Sequence, residues 1–292
     1  CNKLFDYLPG LFGKTNDYSE LLLNISVIDK EGIVYHLVND IKEEDFDVNQ
    51  GGQVEIIGWL YQFYNTELNE QVYDGKMSKS RIEKELLPAA TTIYTPDWAI
   101  RYMAQNSLGK LWKMGHINDE FGKWKYYLPD APQSAFIREQ LKRIVDDFQD
   151  IAPENIRLID PCMGSGHILV YCFDMLMDIY ESQGYSSRDA ASMILENNLY
   201  GFDIDNRAAQ LSYFAVMMKA RECDRRILTR NVNTHVFAIV ESNNINRMHL
   251  NYFGATMSAQ DKQEANRSIV EILDVFKAVS YTHLTLPTKR IV

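Results

Sequence analysis

The sequence predicts a protein of the α/β class, in which a helical N-terminal region is followed by a domain of alternating strands and helices. Before residue 150 the apolar residues recur at helical spacing, whereas from Ile156 onward short apolar runs alternate with amphipathic segments. Such alternation indicates a parallel sheet. A glycine-rich turn follows the first of these runs, as at the ligand-binding edge of such sheets. We therefore expect a mainly helical region at 1–135, an α/β domain at 136–279 and a separate tail at 280–292.

Three helices are predicted in the N-terminal region from apolar residues spaced three and four positions apart. The first spans 54–73 and is dense in aromatic residues, which we interpret as packed core. The second spans 97–111 and follows Thr95 and Pro96, residues that suit an N-cap and a first helical turn. The third spans 134–148.

Short strands and longer helices are predicted to alternate in the α/β domain. Either Ser186 or Ser187 suits the start of its second helix, and Asp205 suits the N-cap of the third. The predicted strands are 157–160, 199–203 and 236–240, and the predicted helices are 165–180, 187–197 and 206–221.

Charge and composition restrict the function. The 292 residues carry a net charge of −10, whereas a free-standing nucleic-acid clamp is usually basic. No signal peptide or long apolar run is evident, which predicts no membrane association. The four cysteines form no CxxC pair, which favours neither zinc nor disulfides and fits a reducing cytoplasm.

The two ends of the chain suggest an internal piece of a longer protein. The first residue is Cys1 rather than Met, and the tail SYTHLTLPTKRIV at 280–292 shares nothing with the amphipathic pattern before it. We interpret this tail as non-native, with an ordinary β-rich tail as the alternative.

The run LIDPCMGSGHIL, Leu158–Leu169, carries the chemistry. A strand ends at Asp160, Pro161 turns the chain, and the segment Gly164-Ser165-Gly166 opens a helix. Glycines let the backbone approach a ligand closely, and a helix N-terminus offers unpaired N–H groups to an anionic group.

The residues around this loop favour one ligand over the common nucleotides. Leu169 stands where the nicotinamide fingerprint needs a third glycine, and the G-K-[ST] of a P-loop is absent. Asp160 would repel a pyrophosphate but attract an ammonium group, and Asp203 at the end of the next strand suits two ribose hydroxyls. A ligand with an ammonium, a carboxylate and a ribose is S-adenosylmethionine.

These motifs resemble those of amino-methylating DNA methyltransferases. DPCMGSGHIL resembles their motif I, with Cys162 and Met163 replacing the usual Ala-Cys, and YGFDID resembles motif II, with Asp203 for the usual Glu. IYTPDWAIRYM, 93–103, resembles their Thr-Pro motif, which implies that Thr95 and Pro96 contact the methionine end of the cofactor. The motif order is that of γ-type adenine methyltransferases.

Longer blocks resemble the PglX family of adenine-specific DNA methyltransferases from BREX phage-defence systems. They are EIIGWLYQFYN at 55–65, the block 88–112 and the block 160–174. The resemblance covers roughly residues 5–279 and implies a class I, Rossmann-like methyltransferase domain of which only the first half is present. It further implies double-stranded DNA as substrate, bound mostly by regions outside this chain, and other phage-defence proteins as partners.

The catalytic Pro-Pro-aromatic loop of that family is absent, since none of the eight prolines adjoins another. We therefore assign no catalytic residue and no metal ligand, and expect this chain to be inactive alone. Two alternatives stay open: a class I methyltransferase acting on another substrate, and a non-catalytic nucleotide-binding or docking module. Glu241, by resemblance, would contact the cofactor adenine. The predicted cofactor-binding residues are Thr95, Pro96, Asp160, Pro161, Cys162, Gly164, Ser165, Gly166, Asp203, Ile204 and Glu241.

Overall fold

The computed structural model describes most of the chain between residues 2 and 239 and a short part after it. The chain forms two compact units, Cys1–Met77 with Ile82–Ile239, and Ser78–Arg81 with Val240–Val292. The described residues of the second unit include helical turns between 259 and 270. Glu241, Val240 and the tail 280–292 lie outside the described residues, which are 2–13, 29–40, 42, 56–73, 86–92, 95–116, 124–148, 151–239, 258–260, 262–263 and 265–270.

Helices make up the regular structure described before residue 150. The short helix α4 has a proline in its first turn, where the missing N–H costs nothing. The helices are α1 (Asn2–Tyr7), α2 (Ile33–Asn39), α3 (Ile56–Tyr73), α4 (Leu87–Thr91), α5 (Asp97–Asn106), α6 (Leu108–Gly115) and α7 (Ala135–Phe148).

The α/β region contains a parallel three-stranded sheet in the order β1-β2-β3. Ile159 pairs with Tyr200, and Phe202 pairs with Phe237. The predicted alternation of strands and helices is confirmed, and each strand lies within three residues of its predicted bounds. The elements are β1 (Leu158–Asp160), α8 (His167–Ser182), α9 (Ser187–Met193), β2 (Leu199–Asp203), α10 (Asn206–Cys223) and β3 (His235–Ala238).

One face of the sheet carries the hydrophobic core. Leu199 and Val236 pack with the fully buried Phe173 and Leu176 of α8 and with Val216 of α10. The alternate strand residues form the other face, where Ile159 is 63% and Phe237 51% exposed. Because side chains alternate along a strand, the sheet has one covered and one open face.

Local hydrogen bonds explain where the helices begin and end. Ser186 accepts a bond from the Asp189 N–H at the start of α9, and Asp205 accepts one from the Arg207 N–H at the start of α10. Both predicted caps are confirmed. The helix predicted to reach 197 is α-helical only to Met193, and a wider π turn, Ile194–Asn198, leads into β2.

Two predictions for the N-terminal helices are wrong. The helix expected at 97–111 breaks at Ser107, whose backbone dihedral angles are −112° and −80° and whose hydroxyl bonds the Met103 carbonyl. Pro96, expected in the first turn, is itself the N-cap, so Thr95 lies outside the helix.

The packed core expected along α3 is also wrong. Phe63 is 75% and Tyr64 68% exposed, and Leu60 is half exposed. The face of α3 that packs inward is instead the one that carries Gly58, Tyr61 and Asn65. Among the described residues, none of the helices is long and apolar enough to cross a membrane.

Candidate cofactor-binding site

A cavity of about 240 Å³ lies at the carboxyl ends of β1 and β2. One wall is the loop from β1 to α8, the second is the end of β2, and the third combines α3 with the segment around α4. Ligands of parallel α/β sheets bind at this edge. The residues that line the cavity are Gly58, Tyr61, Gln62, Pro88, Thr91, Thr92, Thr95, Pro161, Cys162, Met163, Gly164, Ser165, His167, Ile168, Asp203, Ile204, Asp205 and Ala208.

The loop between β1 and α8 needs glycine at two positions. Gly164 has a φ of +55° and Gly166 a φ of +91°, in the left-handed region that favours glycine. A Cβ on Gly166 would lie 2.5 Å from Ser212 Oγ and 3.0 Å from Ser212 Cα. The loop can therefore lie against α10 only because glycine has no side chain.

Asp203 at the end of β2 holds the loop in place. Its Oδ2 accepts a hydrogen bond of 2.8 Å from the Gly164 N–H, and its Oδ1 accepts one of 2.8 Å from the Asp205 N–H. A second bond links the same elements, from the Met163 N–H to the Phe202 carbonyl at 3.0 Å. Since each carboxylate oxygen has a further lone pair, Asp203 can still accept from a ligand hydroxyl.

Asp160 lies beneath the loop rather than on the cavity wall. It is 8% exposed, and its Oδ1 accepts a hydrogen bond from the Cys162 N–H at 3.1 Å. Its Oδ2 is buried and has no hydrogen-bond partner among the described residues. Burial raises the pKa of Asp160, the Cys162 N–H opposes this, and the charge of Asp203 adds to it.

Helix α3 supplies the part of the wall that the sequence did not predict. Gly58 faces the glycine loop so closely that a Cβ there would lie 2.4 Å from Ser165 Oγ. One turn later the Tyr61 hydroxyl donates a hydrogen bond to Asp205 Oδ2. Burial and this bond raise the pKa of Tyr61 to about 12, against a smaller opposing effect of Asn65. The block 55–65 is the sequence feature that indicates this part of the wall, but its pattern predicts a packed core for its aromatic residues.

Side chains of α3 hold the segment around α4 by hydrogen bonds to the backbone of α4. Asn69 Nδ2 donates to the Ala89 carbonyl at 2.8 Å, and the Tyr73 hydroxyl donates to the Ala90 carbonyl at 2.9 Å. Helix α5 is linked to α8 by a 2.8 Å bond from Gln105 Nε2 to the Tyr171 hydroxyl. These bonds hold the threonines of the Thr-Pro block beside the glycine loop.

His167 begins α8 and also lines the cavity. Burial lowers its pKa from 6.5 to about 4, so the imidazole is neutral near pH 7. This neutrality leaves the carboxylates as the charged groups among the described residues of the cavity wall, which include no lysine or arginine.

The structure brings most of the predicted residues together. Pro96, Asp160 and Gly166 are adjacent in sequence to lining residues but do not line the cavity, and Glu241 lies outside the described residues. Asp160 and Gly166 instead shape the loop from below. The predicted residues that line the cavity are Thr95, Pro161, Cys162, Gly164, Ser165, Asp203 and Ile204.

The fold and the cavity together define an α/β protein with a cavity at the edge of a parallel sheet where proteins of this class bind ligands. The chain is 44% identical over 250 residues to the adenine-specific methyltransferase PglX of Lacticaseibacillus casei (strain Zhang), which covers 82% of this chain. It is 44% identical over 243 residues to the adenine-specific methyltransferase BrxX of Escherichia coli O9:H4 (strain HS), which covers 83%. No family model matches the chain.

Over the residues that align, the chain is similar to the adenine-specific methyltransferases PglX and BrxX. The chain spans about a fifth of the length of these two relatives. The aligned part contains the cavity described above, since the alignments cover more than four fifths of the chain.

Proposed function

We propose that the cavity binds S-adenosylmethionine and that the chain is the cofactor-binding part of a site-specific DNA methyltransferase that modifies the exocyclic amine of adenine. One observation carries this proposal: a glycine loop and the strand-end carboxylate Asp203 meet in a cavity whose described lining residues include no lysine or arginine. A nucleoside triphosphate would need cations there, whereas a sulfonium cofactor is positively charged. The names of the relatives, which are adenine-specific methyltransferases, support adenine as the target.

The residues present fit this cofactor. The buried carboxyl group of Asp160 lies beneath the loop, where a negative charge favours a positively charged ligand, and Asp203 retains lone pairs for ribose hydroxyls. Ile204 is half exposed beside them and offers an apolar surface for the adenine. S-adenosylmethionine supplies the transferable methyl group, while these residues bind it, orient it and hold the loop in place.

We further infer that the three strands are part of a larger, Rossmann-like sheet. Parallel sheets are almost always covered on both faces, but Ile159 and Phe237 are more than half exposed on the open face. The length of the relatives leaves ample chain for a second set of helices and strands, and for DNA-binding parts. A role in phage defence in the cytoplasm, with double-stranded DNA and other defence proteins as partners, extends the same proposal.

Titration calorimetry with S-adenosylmethionine tests the cofactor. Asp203→Ala should weaken binding by about 1.5–3 kcal/mol, the value of one charge-assisted hydrogen bond, and Asp160→Ala should also weaken it because it removes the carboxylate that shapes the loop from below. Asp203→Asn separates ligand binding from loop support, because it keeps an acceptor for one backbone N–H. Glu139→Ala on the exposed side of α7 removes one negative charge elsewhere and should leave the affinity unchanged. Unchanged binding in both aspartate variants would contradict the site.

Methyl transfer is a separate question. The chain has no Pro-Pro-aromatic segment, and the flipped adenine of such enzymes needs one to hold its amine and stack on its ring. We expect no transfer of labelled methyl groups from S-adenosylmethionine to adenine-containing duplex DNA by this chain alone. Turnover above the level of the Asp203→Ala variant would contradict that expectation.

A further inference from the structure

A second, smaller cavity adjoins the cofactor cavity along α3. Its volume is about 200 Å³, and its lining is almost entirely polar: Gln62, Asn65, Thr66, Asn69 and Thr92. Gln62 and Thr92 line both cavities, whereas none of the residues at the end of β2 lines the smaller one. The smaller cavity therefore extends the cofactor cavity on the side away from Asp203 and Ile204.

Asn65 is the unusual residue of this extension. It is 6% exposed, and its Nδ2 makes no hydrogen bond of good geometry among the described residues, although it interacts weakly with the Tyr61 hydroxyl. A buried donor without a good acceptor destabilises the folded protein. The neighbouring amide of Asn69, one turn away, instead donates to the Ala89 carbonyl at 2.8 Å. Asn69 thus has a full hydrogen bond, whereas the amide of Asn65 is available to donate one to a ligand in the cavity.

We propose that Asn65 and Gln62 bind the amino-acid end of the cofactor, with Asn65 Nδ2 donating to its carboxylate. This inference rests on the proposed function and deepens it. Asp203 and Ile204 suit the ribose and the adenine, so the group that extends furthest from β2 is the aminobutyrate portion. A carboxylate is a strong acceptor, and two amide side chains can bind it without adding charge to the cavity.

Helix α3, which carries these amides, is positioned by contacts with the glycine loop and with the residues after β2. Gly58 lies against Ser165 of the glycine loop, and Tyr61 is bonded to Asp205. Gln62 and Asn65 follow on the same inward face of α3. Helix α3 thus reaches from the adenosine side of the cavity to its polar extension.

Two cofactor analogues distinguish the ends of the ligand. S-adenosylhomocysteine contains the amino-acid portion, whereas 5′-methylthioadenosine shares its adenosine and thioether but lacks that portion. We expect Asn65→Leu and Gln62→Leu each to weaken binding of S-adenosylhomocysteine about tenfold or more and to change binding of methylthioadenosine less than about twofold. Gln71→Leu, an amide replaced at an exposed position of the same helix, should change neither.

The outcomes separate the two proposals. If the unmodified chain binds neither analogue, the proposed function fails. If it binds both and the Asn65 and Gln62 variants lose neither or lose both equally, only the present inference is overturned. Circular dichroism and thermal melting check each variant, and should Asn65→Leu not fold, Asn65→Asp serves instead. That variant keeps the size but opposes one carboxylate with another, so it should weaken S-adenosylhomocysteine selectively.

Discussion

The covered and open faces of the sheet have similar side chains but very different surroundings. Phe173 on α8 is fully buried, and Leu199 and Val236 pack against the same core. On the open face, Phe237 is 51% and Ile159 63% exposed. The apolar pattern of a strand therefore identifies the residues that need cover, but the elements that supply the cover must come from elsewhere in the chain.

The largest expected difference between the two faces is in the free energy of unfolding. Phe173→Ala should lower it by about 3–5 kcal/mol, because the variant loses buried apolar area and leaves a cavity. Phe237→Ala makes the same chemical change on the open face and should cost less than about 1 kcal/mol. Urea denaturation of both variants measures the contrast. Equal costs would mean that the open face is covered in solution.

The covered side also predicts a loss of stability in mild acid. Burial at the start of α8 lowers the pKa of His167 from 6.5 to about 4. Between these two pH values the histidine is protonated in the unfolded chain but neutral in the folded chain. The stability contributed by the neutral histidine is present above pH 6.5 and is lost as the pH falls toward 4, by about 3 kcal/mol in all.

Denaturation curves between pH 7 and pH 4 test this prediction. His167→Gln cannot take up the proton, so the fall in its free energy of unfolding over that range should be smaller than in the unmodified chain. If the free energy of unfolding falls equally with pH in both proteins, the pKa of His167 is not lowered by burial.

Two glycines of the loop between β1 and α8 allow a comparison in which each variant adds one methyl group. Gly166 lies against α10, so Gly166→Ala adds a backbone clash with Ser212 to the cost of a positive φ and should destabilise by more than about 2 kcal/mol. No atom of the described residues lies within 4 Å of a Cβ added to Gly164, so Gly164→Ala should cost only the conformational strain, about 1–2 kcal/mol. Thermal melting of the pair measures the difference, and an equal loss would contradict the close approach to Ser212.

The smallest effect is expected on the open face itself. Phe237→Ser removes an exposed aromatic ring and should change the free energy of unfolding by no more than about 0.5–1 kcal/mol. The same variant should bind less of a fluorescent hydrophobic dye, because exposed apolar patches attract such probes. Dye binding that equals that of the unmodified chain would show that Phe237 is not on an accessible surface.

The α/β region was largely predictable because each of its elements has local limits. Leu199–Asp203 was predicted in full, and the caps Ser186 and Asp205 mark the starts of the following helices. The loop at 160–166 was predictable because two glycines shortly after a strand-end carboxylate are typical of a ligand-binding loop. The π turn at Ile194–Asn198 carries no comparable sequence signal.

The N-terminal helices were predictable in position but not in packing. The helical spacing of 54–73 indicated α3, yet the aromatic residues expected inside are exposed, and the inward face is small and polar. A periodic pattern cannot show which face meets another element when both faces carry aromatic residues. Gly58 and Tyr61 were missed for this reason, since their role depends on contacts with Ser165 and Asp205, more than one hundred residues away in the chain.

Hydrogen exchange with and without S-adenosylmethionine tests most directly whether α3 and the glycine loop form one site. Binding should slow backbone exchange in the loop at 160–166 and also in the part of α3 from Gly58 to Asn65, while the exposed helix α7 should exchange at an unchanged rate. Protection confined to the loop, or no protection in either segment at saturating cofactor, would contradict a site shared by these two parts of the chain.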